Sequence, residues 1–270
     1  MNVKSILSKN LIVGAVGIML AAGIGGCVSG GGNQAGRSET NAPILRVGVT
    51  PNMPPIVYKQ GDDVIGLEAD LARALGRELG RPVRFVQLKW DDQIPALIGN
   101  KTDIIMSGMS VTRMRAMRIA FTDPYLEVGQ LALVRRCDLD RFFTRGAVML
   151  TTGIVGVEKG TTGDLFVQQE FPHAKRVSYA SSREAVKALI AARIDLFVHD
   201  APVVWWLAAE HESEGIAAVN VPLTTENLAW GVREEDPALL KAVNGILARW
   251  KQDEKLQGMV KRWIPYARTL

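Results

Sequence analysis

Three short polar segments hold the residue types that could bind a small charged molecule. The first is Ser107-Gly108-Met109-Ser110-Val111-Thr112, with Arg115 five residues past Ser110. Small residues let backbone N–H and C=O groups come close to a ligand. The hydroxyls add donors and acceptors, and an arginine adds a planar fork that matches a carboxylate. A solvated turn leading into a basic helix face, with Arg113 and Arg118, fits the same spacing. The second segment is Gly160-Thr161-Thr162-Gly163. If it opens a helix, its free N–H groups form an anion site. Phosphate is one candidate, but Lys159 precedes Gly160 where a P-loop has its lysine after the glycine, so a carboxylate fits as well. Ordinary capping by Thr161 or Thr162 is the alternative. The third is His199-Asp200-Ala201-Pro202. Asp200 could accept an ammonium or cap the helix that follows, and His199 could be a hydrogen-bonded structural histidine.

Enzyme signatures are missing. The chain has no G-x-S-x-G, H-E-x-x-H or C-x-x-C, and His173, His199 and His211 lack metal-ligand spacing. Neither metal nor cofactor is expected. The formal charge of +4 is spread along the chain without a basic block, which does not point to nucleic acid.

The elements that must position these segments alternate. Leu45-Arg46-Val47-Gly48-Val49 reads as a strand, and Thr50 to Pro55 reads as a loop because three prolines oppose a ladder. A helix follows, with Glu68 and Asp70 in its first turn and Leu67, Leu71, Ala74, Leu75 and Leu79 on one face. Gly80 and Pro82 end it. Residues 83–88 read as a strand, 91–98 as a short helix and 103–106 as a buried strand. The logic restarts after Leu131-Ala132-Leu133-Val134: a strand at 154–157, the glycine-threonine loop, a helix capped by Ser181 with Glu184, and a buried strand at 195–198. Asp236-Pro237 opens the first of two C-terminal helices, with apolar stripes Leu239, Leu240, Val243, Leu247, Trp250 and Leu256, Val260, Trp263. Strand-helix-strand order in both halves implies parallel βαβ units, hence α/β.

The N-terminus reads as an export signal. Lys4 and Lys9 precede an apolar run over residues 11–24, which is shorter than the roughly 20 residues that span a bilayer. Gly25-Gly26-Cys27 follows, and Ile24-Gly25-Gly26-Cys27 resembles the lipobox at which a cysteine is acylated. A disulfide from Cys27 to Cys137 is the competing reading; otherwise Cys137 is a free thiol, expected to be inert and at least partly buried. The Gly/Ser-rich stretch beyond Cys27 reads as a flexible tether. With 47% hydrophobic and 22% charged residues, the remainder suits a globular fold.

From Ile44 to Trp263 the chain resembles the periplasmic binding proteins of polar amino acid ABC transporters, solute-binding family 3. The resemblance rests on Leu45-Arg46-Val47-Gly48, Gly66-Leu67-Glu68-Ala69-Asp70-Leu71, Trp90 with Ile94-Pro95-Ala96-Leu97, and Ser107-Gly108-Met109-Ser110-Val111-Thr112-x-x-Arg115. Phe121-Thr122-Asp123-Pro124-Tyr125, Gly160-Thr161-Thr162 and Asp195-x-x-x-x-Asp200 complete it. It implies a type II periplasmic-binding-protein-like fold of two lobes, each a mostly parallel sheet flanked by helices, joined by two crossover strands. The expected divisions are a lipoprotein signal at 1–26, a tether at 27–43, lobe 1 at 44–130 and 230–270, and lobe 2 at 131–229.

By position, the resemblance implies that Arg115 clamps a ligand carboxylate, helped by Ser110 and the Thr162 amide. The carbonyl of Gly108 and the carboxylate of Asp200 would take the ammonium, and Trp90 would pack on the ligand side chain. Ser107, Thr161 and His199 belong to the same expected lining. Members usually carry an Asp where Thr50 stands and an aromatic ring where Met53 stands. With Thr50 the pocket is less negative, so a polar or neutral amino acid is expected over a strongly cationic one. Further implications are permease subunits of an importer as partners, a monomer, a lipid anchor at Cys27, and no enzymatic activity. Two alternatives stay open: a lyase like the cyclohexadienyl dehydratases on the same fold, and a ligand sensor without a transporter.

Overall fold

A computed structural model describes residues 42–265 and residue 267. The export segment and Cys27 lie outside the described residues. No helix among the described residues is long and apolar enough to cross a membrane.

The first lobe begins with β1 (Leu45–Val49), then β2 (Asn52–Met53), β3 (Val57–Gln60) and β4 (Asp63–Ile65), then α1 (Leu67–Glu78), β5 (Val83–Gln87), α2 (Gln93–Ile98), β6 (Ile104–Ile105), α3 (Arg113–Ala116) and β7 (Ala120–Phe121). The chain leaves along β8 (Leu126–Val128). The second lobe runs β9 (Gln130–Arg135), α4 (Arg145–Met149), β10 (Ile154–Glu158), α5 (Thr162–Glu170), β11 (Lys175–Tyr179), α6 (Ser182–Ile190), β12 (Leu196–Asp200), α7 (Ala201–Glu210) and β13 (Ile216–Val219). The return passes through β14 (Glu226–Leu228) to β15 (Gly231–Val232), α8 (Pro237–Gln252) and α9 (Lys255–Trp263).

Each lobe holds a five-stranded sheet, ordered β5-β1-β6-β15-β7 and β11-β10-β12-β9-β13. Its core is three parallel strands joined by helices, as the alternation of elements requires. The strands that arrive from the other lobe, β9 and β15, run antiparallel. They enter from the side where the parallel strands end, so they must run against them. Gln130 at the start of β9 therefore pairs with Asp200 at the end of β12. Between the lobes, β8 and β14 pair with each other alone, antiparallel from Leu126↔Leu228 to Val128↔Glu226.

Two readings change. The stretch after β1 is not all loop: Asn52 and Met53 pair with Tyr58 and Val57. Pro54 and Pro55 sit in the turn beyond that pair, where no ladder N–H is required of them. Cys137 is exposed rather than partly buried. Apolar packing of β9 stops at Val134, and Cys137 falls in a 3₁₀ turn over Arg136–Arg141.

The α1 face packs with β1, β6, α8 and α9 into the lobe 1 core around Trp230 and Trp250. The lobe 2 sheet has apolar clusters on both faces. Some residues cross between lobes: Met53 of lobe 1 is buried within a lobe 2 cluster against which Trp90 also packs, and Trp205 of lobe 2 packs against the lobe 1 cluster. The lobes therefore touch where their strand ends meet.

Candidate ligand-binding cleft

The loop after β6 is built around Gly108. Its φ of 65° lies in the left-handed region, and a Cβ there would meet Ile56 Cγ2 at 3.0 Å. Thr112 caps α3 by accepting from the Arg115 N–H, which throws the Arg115 side chain back over the loop. Arg115 Nη1 donates to the Ser110 carbonyl at 2.8 Å, and the guanidinium lies 5.2 Å from the Trp90 ring centroid. Ser110 is buried and bridges Leu228 at the end of β14.

Across the cleft, Gly160 has φ of 75°, and a Cβ there would meet Asp91 Oδ1 at 2.8 Å. Its carbonyl accepts from Trp90 Nε1 at 2.9 Å and from Arg115 Nη2 at 3.4 Å. A third contact between lobes runs from Asn52 Nδ2 to Glu158 Oε1 at 3.2 Å. Thr161 caps α5 with its hydroxyl, so its side chain is spent on structure, while the first N–H groups of α5 begin at Thr162.

Asp200 occupies the N-cap position of α7 but makes no side-chain cap bond. Its Oδ1 instead accepts from Gln130 Nε2 at 2.6 Å, and the residue is buried. Gln130 Nε2 also lies 3.2 Å from Thr162 Oγ1 and 3.0 Å from Glu226 Oε1. Gln130 thus ties the end of β12, the start of α5 and the crossover strand β14 to one amide. Burial raises the Asp200 pKa and Glu226 adds to this, against His199, Gln130 and Arg115. Burial lowers the Arg115 pKa, opposed by the charges of Asp200 and Glu226. All three groups therefore share one electrostatic site.

The remaining expected residues turn inward. Thr50 is buried; its hydroxyl accepts from Gln93 Nε2 at 2.8 Å and its N–H donates to Ser107 Oγ at 2.8 Å. Thr50 and Ser107 thus hold β1 to the loop after β6. His199 is buried, its Nδ1 accepting from the Asp200 N–H at 2.7 Å. That bond requires a lone pair on Nδ1 and therefore a proton on Nε2, which lies 3.3 Å from Glu158 Oε2 without hydrogen-bond alignment. Burial pulls the His199 pKa down, but Glu158 and Asp200 outweigh it and the net shift is upward.

Two acids were missed from the sequence. Glu158 ends β10 and is buried, with Oε2 unbonded; Glu226 opens β14, with its buried Oε2 also unbonded. Glu158 could have been found from its place at a strand's carboxyl end. Glu226 lies in no motif, and only the crossover brings it to Gln130. A groove of about 490 Å³ is lined by Arg145, Thr162, Phe166 and Thr224, with Thr162 Oγ1 3.2 Å from Gln130 Nε2 and Thr224 Oγ1 2.9 Å from Glu226 Oε1, and one of about 260 Å³ is lined by Trp90 and Arg115.

Residues 45–266 match the model of the bacterial extracellular solute-binding proteins, family 3. The chain belongs to this family. Among relatives of this solute-binding protein, ABC transporter arginine-binding protein 1 of Escherichia coli (strain K12) is 30% identical over 83% of this chain and 92% of its own length. An ancestral amino acid-binding protein that is a precursor of cyclohexadienyl dehydratase matches at TM-score 0.74 and 33% identity, over 82% of this chain and 95% of that one. An ancestral arginine-binding protein bound to arginine matches at TM-score 0.77 and 28% identity, over 82% and 98%. The two-lobe α/β architecture of this solute-binding protein is that of these neighbours.

Proposed function

We propose that this protein is the substrate-binding partner of an ABC importer and captures an amino acid between its lobes. Arg115 holds the α-carboxylate, with the Thr162 N–H and Ser110. Asp200 and the Gly108 carbonyl take the ammonium. The observation that carries this is the placement of a half-buried arginine on lobe 1, reaching the Ser110 and Gly160 carbonyls, and a buried carboxylate on lobe 2 that caps no helix N–H. Contacts drawn from both lobes are collected together only when the lobes meet, so ligand would shift the population toward closure. Acylation of Cys27 would anchor the exported chain to a membrane, facing the periplasm or cell exterior.

The side chain of the ligand follows from charge. An expectation of a neutral ligand rests on Thr50. Glu226 shares the Gln130 amide with Asp200 and has a buried oxygen unbonded, whereas Glu158 faces His199 Nε2 at 3.3 Å, and buried charge is costly unless paired. A cationic or donor-rich side chain supplies that pairing, in keeping with relatives named for arginine and histidine binding. Calorimetry with L-arginine, L-histidine, L-lysine, L-glutamine and L-glutamate tests this. Arginine, histidine or lysine should bind best; tightest binding of glutamate would overturn the charge argument, and no binding of any would overturn amino-acid capture.

The lyase alternative would need a general acid at the cleft, and buried Asp200 is the carboxyl placed to be one. Recovery of the bound amino acid unchanged after prolonged incubation separates the two.

A further inference from the structure

Glu68 looks from the sequence like a first-turn acid placed for the helix dipole. The structure gives it a different setting: it is fully buried, although charged side chains are rarely so unless paired. Its Oε1 accepts the Gly108 N–H at 3.2 Å and also accepts the Tyr125 hydroxyl. Gly108 is the residue whose carbonyl is proposed above to hold the ligand ammonium. Tyr125 immediately precedes crossover strand β8, and Trp230 follows β14 by two residues. Their rings stack with centroids 5.4 Å apart, so the two crossovers enter lobe 1 through one aromatic pair. The Trp230 indole N–H, buried without an aligned partner, acts on the same carboxyl.

We propose that Glu68 is a positioning residue for ligand capture: it fixes the Gly108 loop and links it, through Tyr125, to the crossover strands. A shift of Tyr125 as the crossovers bend is felt at Oε1, and through the shared oxygen at the Gly108 amide. The link does not pass through solvent, since Glu68, Tyr125 and Trp230 are all fully buried. The link also gives the loop a titratable acceptor. Burial raises the Glu68 pKa to about 7, against the lowering effects of Tyr125, Gly108 and Trp230. The titratable groups facing it are Tyr125 in contact and, beyond Tyr125, Asp200. The ionised carboxylate is the stronger acceptor, so the Gly108 tie weakens as pH falls through 7. Because the folded pKa lies above the ordinary one, this group's effect on overall stability has the opposite sign: the fold gains as pH falls.

The part of this inference that concerns affinity rests on amino-acid capture; the part that concerns the loop does not. Amide hydrogen exchange at Gly108 in ligand-free protein therefore serves as the first readout. In the wild type, protection corrected for intrinsic rate should fall several-fold between pH 8 and pH 6, while the melting temperature does not fall. Glu68→Gln keeps the shape and removes the charge; Gly108 should exchange about tenfold faster at pH 8, with no pH slope. Tyr125→Phe keeps the stack and should lower affinity for L-arginine several-fold by calorimetry. Unchanged exchange at Gly108 in Glu68→Gln, or a lowered melting temperature with the pH slope intact, would overturn the positioning role. Failure of the wild type to bind any amino acid tested would overturn the proposed function and leave the exchange result to decide Glu68.

Discussion

Replacing Asp200 with Asn separates binding from folding. Asn retains an oxygen to accept from Gln130 Nε2, now 2.6 Å from Oδ1, so the junction of β12, α5 and β14 keeps its tie. Only the charge is lost. Hydrogen bonds to charged groups contribute about 1.5–3 kcal/mol, so affinity for the best-bound amino acid should fall roughly 10- to 150-fold at about 1.4 kcal/mol per decade. Ligand-free stability should move the other way. Asp200 is only 8% exposed, and its pKa is raised by burial and by Glu226. A carboxyl with a raised folded pKa opposes folding at neutral pH, and that opposition declines as pH falls below the folded value and is gone below the ordinary carboxylate value. Asn relieves it, and each kcal/mol should appear as about 2–4 °C in melting temperature for a chain of this size. Calorimetry and thermal melts at pH 5 and pH 8 read both effects. Bound ammonium lowers the Asp200 pKa, so wild-type affinity should weaken toward pH 5 more steeply than that of the variant. A desamino analogue that binds wild type as well as the amino acid does, or an Asp200→Asn variant within about twofold of wild type, would refute Asp200 as the ammonium acceptor.

Arg115→Lys keeps the charge but loses the fork, and should weaken binding at least tenfold, or about 1.4 kcal/mol; unchanged affinity by calorimetry would make the Ser110 and Trp90 contacts of Arg115 purely structural. Glu226→Gln should reduce the preference for L-arginine over L-glutamine, and an unchanged ratio of the two affinities would remove Glu226 from the side-chain subsite. Small-angle scattering should give a smaller radius of gyration with saturating ligand, and superimposable curves would exclude closure on binding. Cys27→Ser should release the exported protein into the soluble fraction or leave it uncleaved, and wild type that is already fully soluble with a free Cys27 thiol would exclude the lipid anchor.

Most of the fold was legible because its signals are local. The stripe Leu67, Leu71, Ala74, Leu75 marks α1 whatever surrounds it, and every one of these residues is buried. Ser181 accepts from Glu184 N–H, and Asp236 from Leu239 N–H, as their spacing implied. Alternation of strands and helices fixed the parallel core of each sheet. Less legible was the hairpin of β3 and β4, four and three residues long, which has too few positions to show a period.

At the cleft, the sequence by itself determined which residue types stand at the ends of strands: Arg115 past the Ser-Gly-Met-Ser loop, Asp200 past an apolar strand, and the glycines that let backbone approach. Three-dimensional packing decided their employment. Thr50 and Ser107 were drawn into holding β1 to its neighbour, and Thr161 into capping α5. Met53 was committed to the opposite lobe's core. Gln130 lies 70 positions from Asp200 and 96 from Glu226 along the chain, and the three meet only because β9 pairs with β12 and β14 crosses between lobes. Glu68 became a buried acceptor instead of a dipole partner for the same reason. Periodicity reports on neighbours within a few residues, whereas burial and charge pairing depend on which distant strand ends the crossovers bring together.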